Sequence, residues 1–172
     1  QVNAFALPGG HIVVYTGILD RMKEPGELSG LLAHEGTHVQ LRHSMRGIMR
    51  ELSGAVLLSL IIGDVGTLAT LVAKHADDLR GLAYGRGLES EADVVGMERM
   101  AASGVDPHGM VALLHLLERE AQDMPEGLSF LSSHPLTNER IAAAEEKAKA
   151  LSRTGSPDAE LERLFQALKE PK

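Results

Sequence analysis

The amino-acid sequence predicts a mostly helical α+β fold with a small β-sheet or hairpin near the N-terminus, built as one domain over residues 1–172. Three observations support this prediction. The β-prone segments are confined to the start of the chain, helical periodicity follows from Glu27 onward, and 172 residues with 44% hydrophobic side chains suffice for one apolar core. We therefore expect neither a repeat array nor a multidomain arrangement.

Two short segments at the N-terminus favour β-structure. Residues 2–7 and 11–16 are β-prone, and Pro8-Gly9-Gly10 separates them. Proline and glycine at such a position are typical of a tight connection between strands. The spacing predicts a hairpin or two closely connected strands.

The rest of the chain predicts helices. From Glu27, apolar residues recur at steps of three, four and seven, which predicts a first helix that is opened by Pro25 and runs to the mid-forties. Residues 55–73 are apolar on nearly all sides and are interpreted as two short buried or lid-like helices. Further helices are expected over residues 89–103, 107–122, 138–151 and 157–169, with Gly104, Asp106-Pro107 and Thr137 at their boundaries.

Charge and composition exclude several classes of protein. The formal net charge is −7 without a basic tract, so we expect no nucleic-acid partner. The chain has no cysteine, and any metal must therefore be bound by His, Asp or Glu. The longest apolar stretch, residues 55–62, is shorter than the ~20 residues of a membrane span, so we expect no transmembrane segment. Residues 2–15 lack the features of a secretory signal, and we expect a trimmed form of a longer protein.

The strongest motif for chemistry is His34-Glu35-Gly36-Thr37-His38. Residues four apart on a helix project from the same face, so both imidazoles can bind one cation. Zinc suits such a site because it accepts imidazole and carboxylate ligands and lowers the pKa of a bound water to near 7. Glu35 would then accept the proton of that water. The alternative is a chance occurrence in a chain with 8 histidines.

A second motif, Glu89-Ser90-Glu91-Ala92-Asp93, lies about 51 residues after His38 on another predicted helix. Glu89 and Asp93 share a helix face, so Glu89 can supply a third metal ligand while Asp93 accepts a hydrogen bond from the spare nitrogen of a ligand histidine. Glu91 points the other way. The alternative is a solvated acidic first turn favoured by the helix dipole, but the preceding motif favours the metal site.

Three motifs and one segment occur in order along the chain. They are Asn3-Ala4-Phe5-Ala6-Leu7-Pro8-Gly9-Gly10, His34-Glu35-x-x-His38, Glu89-x-x-Ala92-Asp93, and His134-Pro135 followed by Arg140-Ile141. This combination resembles the zinc metalloendopeptidases that include the CAAX prenyl proteases, HtpX and periplasmic BepA-like enzymes. The matches span residues 3–141, and several ordered motifs are more specific than one.

The resemblance implies a compact zincin-like core of the gluzincin type, with zinc bound by His34, His38 and Glu89, and with Glu35 as general base and acid. It also implies an active-site strand that binds extended polypeptide, for which residues 11–15 are the candidate. Because the chain lacks the membrane helices of the prenyl proteases and HtpX, we expect a periplasmic or otherwise extracytoplasmic quality-control protease rather than one that acts on prenylated substrates.

His134 and Arg140 belong to the last motif of the resemblance. Pro135 holds the chain extended before the next helix, so His134 lies on a constrained turn that can reach a cleft. We predict that His134 stabilises the oxyanion of the transition state or occupies the fourth metal position as a plug, with Arg140 anchoring the segment or holding charge. The alternative is a histidine at the helix entry that is bonded to backbone.

The remaining histidines have no such role. His43 lies five positions beyond His38, roughly 140° around a continuous helix, and is expected to miss the metal. His11, His75, His108 and His115 lack partners at ligand spacing and are expected at the surface or in half-buried positions.

The function predicted from these motifs is that of a zinc endopeptidase with one zinc per chain. It would hydrolyse internal peptide bonds of unfolded or misassembled proteins by Glu35-assisted attack of zinc-bound water, without a covalent intermediate. The alternative is a zinc-bearing peptide-binding or chaperone-like module with latent or lost proteolysis, in which residues 55–82 could cover the cleft.

Overall fold

The computed structural model describes residues 2–7, 9–47, 49–50, 53, 85–123, 130–151 and 159–170. These residues form a mostly helical α+β fold, as predicted. The elements in chain order are β1 (Ala4–Leu7), β2 (His11–Val14), α1 (Thr16–Leu19), α2 (Pro25–Gln40), α3 (Arg86–Ala102), α4 (His108–Asp123), α5 (Phe130–Ser133), α6 (Asn138–Leu151) and α7 (Ala159–Lys169). The predicted lid, residues 55–82, lies outside the described residues.

The predicted hairpin is confirmed. β1 and β2 pair antiparallel, with Ala4 opposite Val14 and Leu7 opposite His11. Gly9 and Gly10 between them have φ angles of +99° and +93°, a region that residues with a Cβ rarely adopt. The glycines therefore allow the tight connection. Strand β2 is shorter than predicted, because the chain turns into α1 after Tyr15.

The helix that carries the first motif, α2, packs closely on α3 and α4. A Cβ at Gly30 of α2 would lie 2.8 Å from the carbonyl oxygen of Gly109 in α4. A Cβ at Gly96 of α3 would lie 3.2 Å from the carbonyl oxygen of Ala33 in α2. Larger residues at these glycines would push the helices apart, so the glycines determine how near α3 and α4 come to the motif.

The predicted helix boundaries are confirmed at three places. Gly104 follows α3 with a φ of +78°, as expected of a residue just past a helix end. The carboxylate of Asp106 accepts a hydrogen bond from the backbone N–H of His108 at 2.9 Å, at the start of α4. The hydroxyl of Thr137 accepts one from the backbone N–H of Arg140 at 3.3 Å, in the first turn of α6. The short helix α5 is not predicted by the sequence pattern.

The first long helix is shorter than predicted. It ends at Gln40 rather than in the mid-forties, and Leu41 and Arg42 form a turn. Arg42 has a φ of +52°, which is incompatible with continuing an α-helix. Helical residues resume over 43–47.

Apolar side chains from the N-terminal strand to the last helix meet in one hydrophobic core. The core includes Val2, Ala4, Ile18, Met22, Leu31, Met97, Met110, Leu113, Leu114, Leu117, Phe130, Ala148 and Phe165. Among the described residues, no helix combines the length and the apolar character that a membrane crossing requires.

Candidate metal centre

Four buried side chains converge between three parts of the fold. His34 and His38 come from α2, Glu89 from the first turn of α3, and His134 from the residue that follows α5. Each offers one nitrogen or carboxylate oxygen, and these atoms all lie within 4.8 Å of one another. We refer to these four residues as the metal cluster. Its atoms are close enough to share one cation.

The two histidines of α2 lie on one helix face, as the four-residue spacing predicts. Their Nε2 atoms are 3.0 Å apart. The carboxylate of Glu89 lies against both, with Oε1 3.3 Å from Nε2 of His38 and Oε2 3.5 Å from Nε2 of His34. The sequence-predicted set of two imidazoles and one carboxylate is therefore brought together.

Asp93, one turn after Glu89 on α3, lies behind His34. Its Oδ1 is 2.9 Å from Nδ1 of His34. When Nδ1 carries the proton and donates to this carboxylate, the lone pair of Nε2 faces the cluster. Burial raises the pKa of Asp93, but the hydrogen bonds from His34 and Arg140 outweigh it and hold the pKa below its usual range. Asp93 is therefore ionised and able to orient His34.

Arg140 of α6 ties the acidic residues of α3 to the segment that carries His134. Its Nε and Nη2 atoms donate to the two oxygens of Asp93 at 2.7 and 2.8 Å. Its Nη1 donates to Oε2 of Glu89 and to the backbone carbonyl of Pro135, each at 2.8 Å. A bidentate pair of this kind restricts both partners strongly. Arg140 thus anchors the segment to α3.

The imidazole of His134 lies inside the metal cluster. Its Nδ1 is 3.1 Å from Oε1 of Glu89 and 3.3 Å from Nε2 of His34. The ring stacks on Phe130 with centroids 4.4 Å apart and planes inclined by 16°. These contacts of the imidazole are with side chains, whereas the alternative expected it to be bonded to backbone at the helix entry.

Glu35 is fully buried and faces His134. Its Oε1 lies 3.4 Å from Nε2 of His134, and neither carboxylate oxygen makes a hydrogen bond to any residue that the structure describes. A buried carboxylate without hydrogen bonds is unfavourable by about 1–3 kcal/mol or more. Its position against His134, one of the four cluster residues, fits a site that takes up a cation and a water molecule.

The pKa values of the cluster residues shift in opposite directions, upward for His34 and downward for His38 and Glu89. Burial lowers the pKa of His34, but the hydrogen bonds and charges of Asp93 and Glu89 outweigh it and raise the pKa to about 10. Burial and the adjacent charge of His34 lower the pKa of His38 to about 3, against the attraction of Glu89. Burial raises the pKa of Glu89, but hydrogen bonds from the three histidines around it hold the pKa far below its usual range. A cation and the extra proton of His34 compete for the same nitrogen.

His43 is a site residue that the sequence reasoning missed. It is not one of the four cluster residues, but its Nδ1 lies 3.0 Å from Nδ1 of His38. The expectation that His43 misses the metal position agrees with this, but its contact with His38 was not predicted, because the 140° rotation assumed a helix that continues past Gln40. The turn at Arg42 instead brings His43 back toward α2. No periodicity in the sequence signals such a turn.

The other described histidines lie outside the cluster, as predicted. His108 is paired with Asp106, and His115 lies between Glu118 and Glu145. His11 is exposed on β2. His75 lies outside the described residues.

Comparison with known proteins finds a matching family model and several similar proteins. The sequence model of peptidase family M48 matches residues 1–148. The chain is 29% identical to the beta-barrel assembly-enhancing protease of Yersinia pestis, covering 88% of this chain and 33% of that protein. It is 34% identical to the mitochondrial metalloendopeptidase OMA1 of Schizosaccharomyces pombe, with 84% and 43% covered. It is 30% identical to the metalloprotease YcaL of Escherichia coli, with 81% and 56% covered. The chain therefore spans between about a third and somewhat over half of these relatives.

Proposed function

This chain belongs to peptidase family M48, whose members are metal-dependent proteases, and from this premise we propose that it hydrolyses internal peptide bonds of unfolded or misassembled proteins with one zinc ion as cofactor. The observation that carries the proposal is the convergence of His34, His38 and Glu89 beside the buried carboxylate of Glu35. Residues 1–172 are proposed to form one metallopeptidase domain, since one core joins Val2 to Phe165.

The donor set supports zinc as the metal. Two imidazole nitrogens and one carboxylate oxygen are a ligand set typical of catalytic zinc, which leaves a fourth position for water or substrate. We propose that His34, His38 and Glu89 hold the ion. When bound, zinc supplies Lewis acidity, which polarises a carbonyl group and lowers the pKa of a water molecule.

Glu35 is proposed as the general base and acid. It follows His34 directly on α2, so its carboxylate is held at the edge of the cluster by the same helix. An ionised carboxylate there can accept a proton from the attacking water and later deliver it to the leaving amine. The hydrolysis then needs no serine or cysteine nucleophile.

Asp93 and Arg140 are proposed as positioning residues. Asp93 contacts Nδ1 of His34 and is not itself one of the four cluster residues, and Arg140 acts through Asp93 and Glu89. The guanidinium thereby holds the ligand carboxylate and the orienting carboxylate in one arrangement. Partners of this kind typically affect metal affinity or activity by about 10–100-fold.

His134 is proposed as a plug that occupies the fourth metal position in a resting form. The support is the position of its Nδ1 within hydrogen-bonding distance of Glu89 and the stacking of its ring on Phe130. The other role predicted from the sequence, stabilisation of the oxyanion, requires the imidazole to move away from the cluster and face the substrate.

Substitution of His134 by alanine separates these two roles. We expect His134→Ala to raise basal cleavage of denatured casein by about tenfold or more, because an open minor state is typically populated to about 0.1–10%. Initial rates would be measured at equal zinc content, with Ser132→Ala, an exposed neighbour, as the control. A lower kcat at unchanged zinc content would instead assign the oxyanion role, and an unchanged rate would reject both.

The substrate is proposed to be an extended polypeptide that adds to strand β2. Among the described residues, β2 pairs with β1 on one side and also contacts α2, the helix of the metal ligands. A strand edge binds a peptide through backbone hydrogen bonds, which suits substrates without a common sequence. Residues 11–15 remain the candidate segment.

Digestion of denatured casein with and without a chelator tests the proposed function. We expect cleavage that stops on chelation and returns when zinc is added back. Peptide binding without turnover in the zinc-loaded protein would favour the alternative of a peptide-binding or chaperone-like module. A periplasmic or other extracytoplasmic location stays a prediction, since the names of the relatives include a mitochondrial enzyme.

A further inference from the structure

A buried histidine outside the metal cluster contacts one of its members. The side chain of His43 is fully buried. Its ring meets that of His38 edge-on, with centroids 4.8 Å apart and planes inclined by 83°. Its Nδ1 lies 3.0 Å from Nδ1 of His38, on the side of that ring opposite the cluster. None of the steps proposed above uses this residue.

With a metal bound at the proposed site, the contacts of the two rings assign their protons. His38 presents Nε2 to the cluster, 3.3 Å from Glu89, and in the proposed metal-bound form Nε2 carries the lone pair that binds the metal. Its proton then resides on Nδ1 and is donated to Nδ1 of His43. This assignment places the proton of His43 on Nε2, and that atom lies 3.3 Å from Oε2 of Glu91.

Glu91 is itself held in place at the surface. Its Oε2 accepts a hydrogen bond from Nη1 of Arg46 at 2.8 Å. The chain of contacts therefore runs from Arg46 through Glu91 and His43 to His38. Hydrogen bonds join Arg46 to Glu91 and the two imidazoles to each other, whereas Nε2 of His43 meets Oε2 of Glu91 in an ionic contact without hydrogen-bonding geometry.

The backbone conformation just before His43 is unusual, and it places the His43 side chain against His38. Arg42 has a φ of +52°, a conformation that few residues other than glycine adopt and that is unfavourable by about 1–3 kcal/mol. Because α2 ends at Gln40, this turn is what returns the chain to the helix and directs the ring of His43 onto His38.

We propose that His43 is a positioning residue for the metal ligand His38: it holds the ring orientation and the tautomer that presents Nε2 to the cluster. This inference rests on the proposed zinc site. The two ligand histidines are then oriented in different ways. His34 donates to a buried carboxylate, Asp93, whereas His38 donates to a neutral imidazole that is backed by the half-exposed Glu91.

Zinc affinity of two matched variants tests the proposal. Methionine and glutamine have similar length, but only glutamine offers an oxygen that can accept the proton of His38. We expect His43→Met to raise the zinc Kd about 10–100-fold, as loss of an orienting partner typically does, and His43→Gln to restore most of the affinity. The Kd would be measured on the full 172-residue chain by competition with a chromophoric chelator.

Controls separate positioning from general destabilisation. His115→Leu removes a histidine that contacts Glu118 and Glu145 outside the cluster, and it should leave the Kd unchanged. The Tm of each zinc-free variant reports on folding. If His43→Met does not fold, Glu91→Gln tests the same chain of contacts from the surface, and a raised Kd is expected there as well.

Two outcomes would overturn the role of His43. One is an equal Kd for the wild type, His43→Met and His43→Gln, or for the wild type and Glu91→Gln where that variant replaces them. The other is an equal rise in both His43 variants, which would indicate a purely steric role. Tight zinc binding by the wild type in either case leaves the proposed function intact. A wild type that binds no zinc would contradict the proposed zinc site and the role of His43 together.

Discussion

Substitution of Glu35 by glutamine is expected to abolish most of the peptidase activity while the protein keeps its fold and its zinc. The loss should be about 10²–10⁴-fold in kcat, which is the usual contribution of a general acid or base. Glutamine is nearly isosteric with glutamate, but its amide cannot accept the proton of the attacking water. Because Glu35 is not one of the clustered ligands, its substitution should not displace the metal.

The measurement is cleavage of denatured casein by preparations with equal zinc content. Glu98→Gln is a suitable control, since it removes one carboxylate from the exposed face of α3, where Glu98 pairs with Lys147. We expect the control to retain full activity. Turnover of the Glu35→Gln protein near the wild-type rate would mean that another group acts as the base, and it would contradict the mechanism proposed for this site.

Substitution of either α2 histidine is expected to remove most of the bound zinc. His34→Ala and His38→Ala each keep only two of the three proposed protein ligands, one imidazole of α2 and the carboxylate of Glu89. Catalytic zinc usually needs three protein ligands, so both variants should be inactive as well as metal-poor.

Elemental analysis after dialysis against a weak chelator checks this expectation. The wild type should retain about one zinc per chain. His108→Ala, which alters a histidine paired with Asp106 at the start of α4, serves as the control and should retain the same amount. Unchanged zinc in both α2 variants would refute the assignment of these histidines as ligands. Unchanged zinc in only one of them would refute the assignment of that histidine as a required ligand.

The parts of the fold that depend on nearby residues were predictable from the sequence. Helix α6 spans the residues that its composition and the Thr137 cap predict, and Gly104 lies just past the end of α3 as expected. The joint face of His34 and His38 follows from the pitch of an α-helix alone. These features need only local backbone geometry, so neighbours in the sequence suffice to predict them.

The last part of α2 shows where local reasoning fails. A continuous helix to the mid-forties agrees with the apolar spacing, but the chain leaves the helix at Gln40 and turns at Arg42. Nothing in the residue type of Arg42 indicates a positive φ, since arginine is a good helix former. The turn accompanies the contact of His43 with His38, and such a contact exists only after the chain has folded.

The sequence by itself therefore determined the two-histidine face, the long helices apart from the end of α2, and the hairpin, and it nominated Glu89, Asp93 and His134 as partners. Only the tertiary structure decided that these residues meet. Their convergence depends on the close approach of α3 to α2 at Gly96 and on the anchoring of the His134 segment by Arg140. The physical reason is that spacing within a helix follows from backbone hydrogen bonds, whereas the meeting of residues 45 or more positions apart follows from how the helices pack.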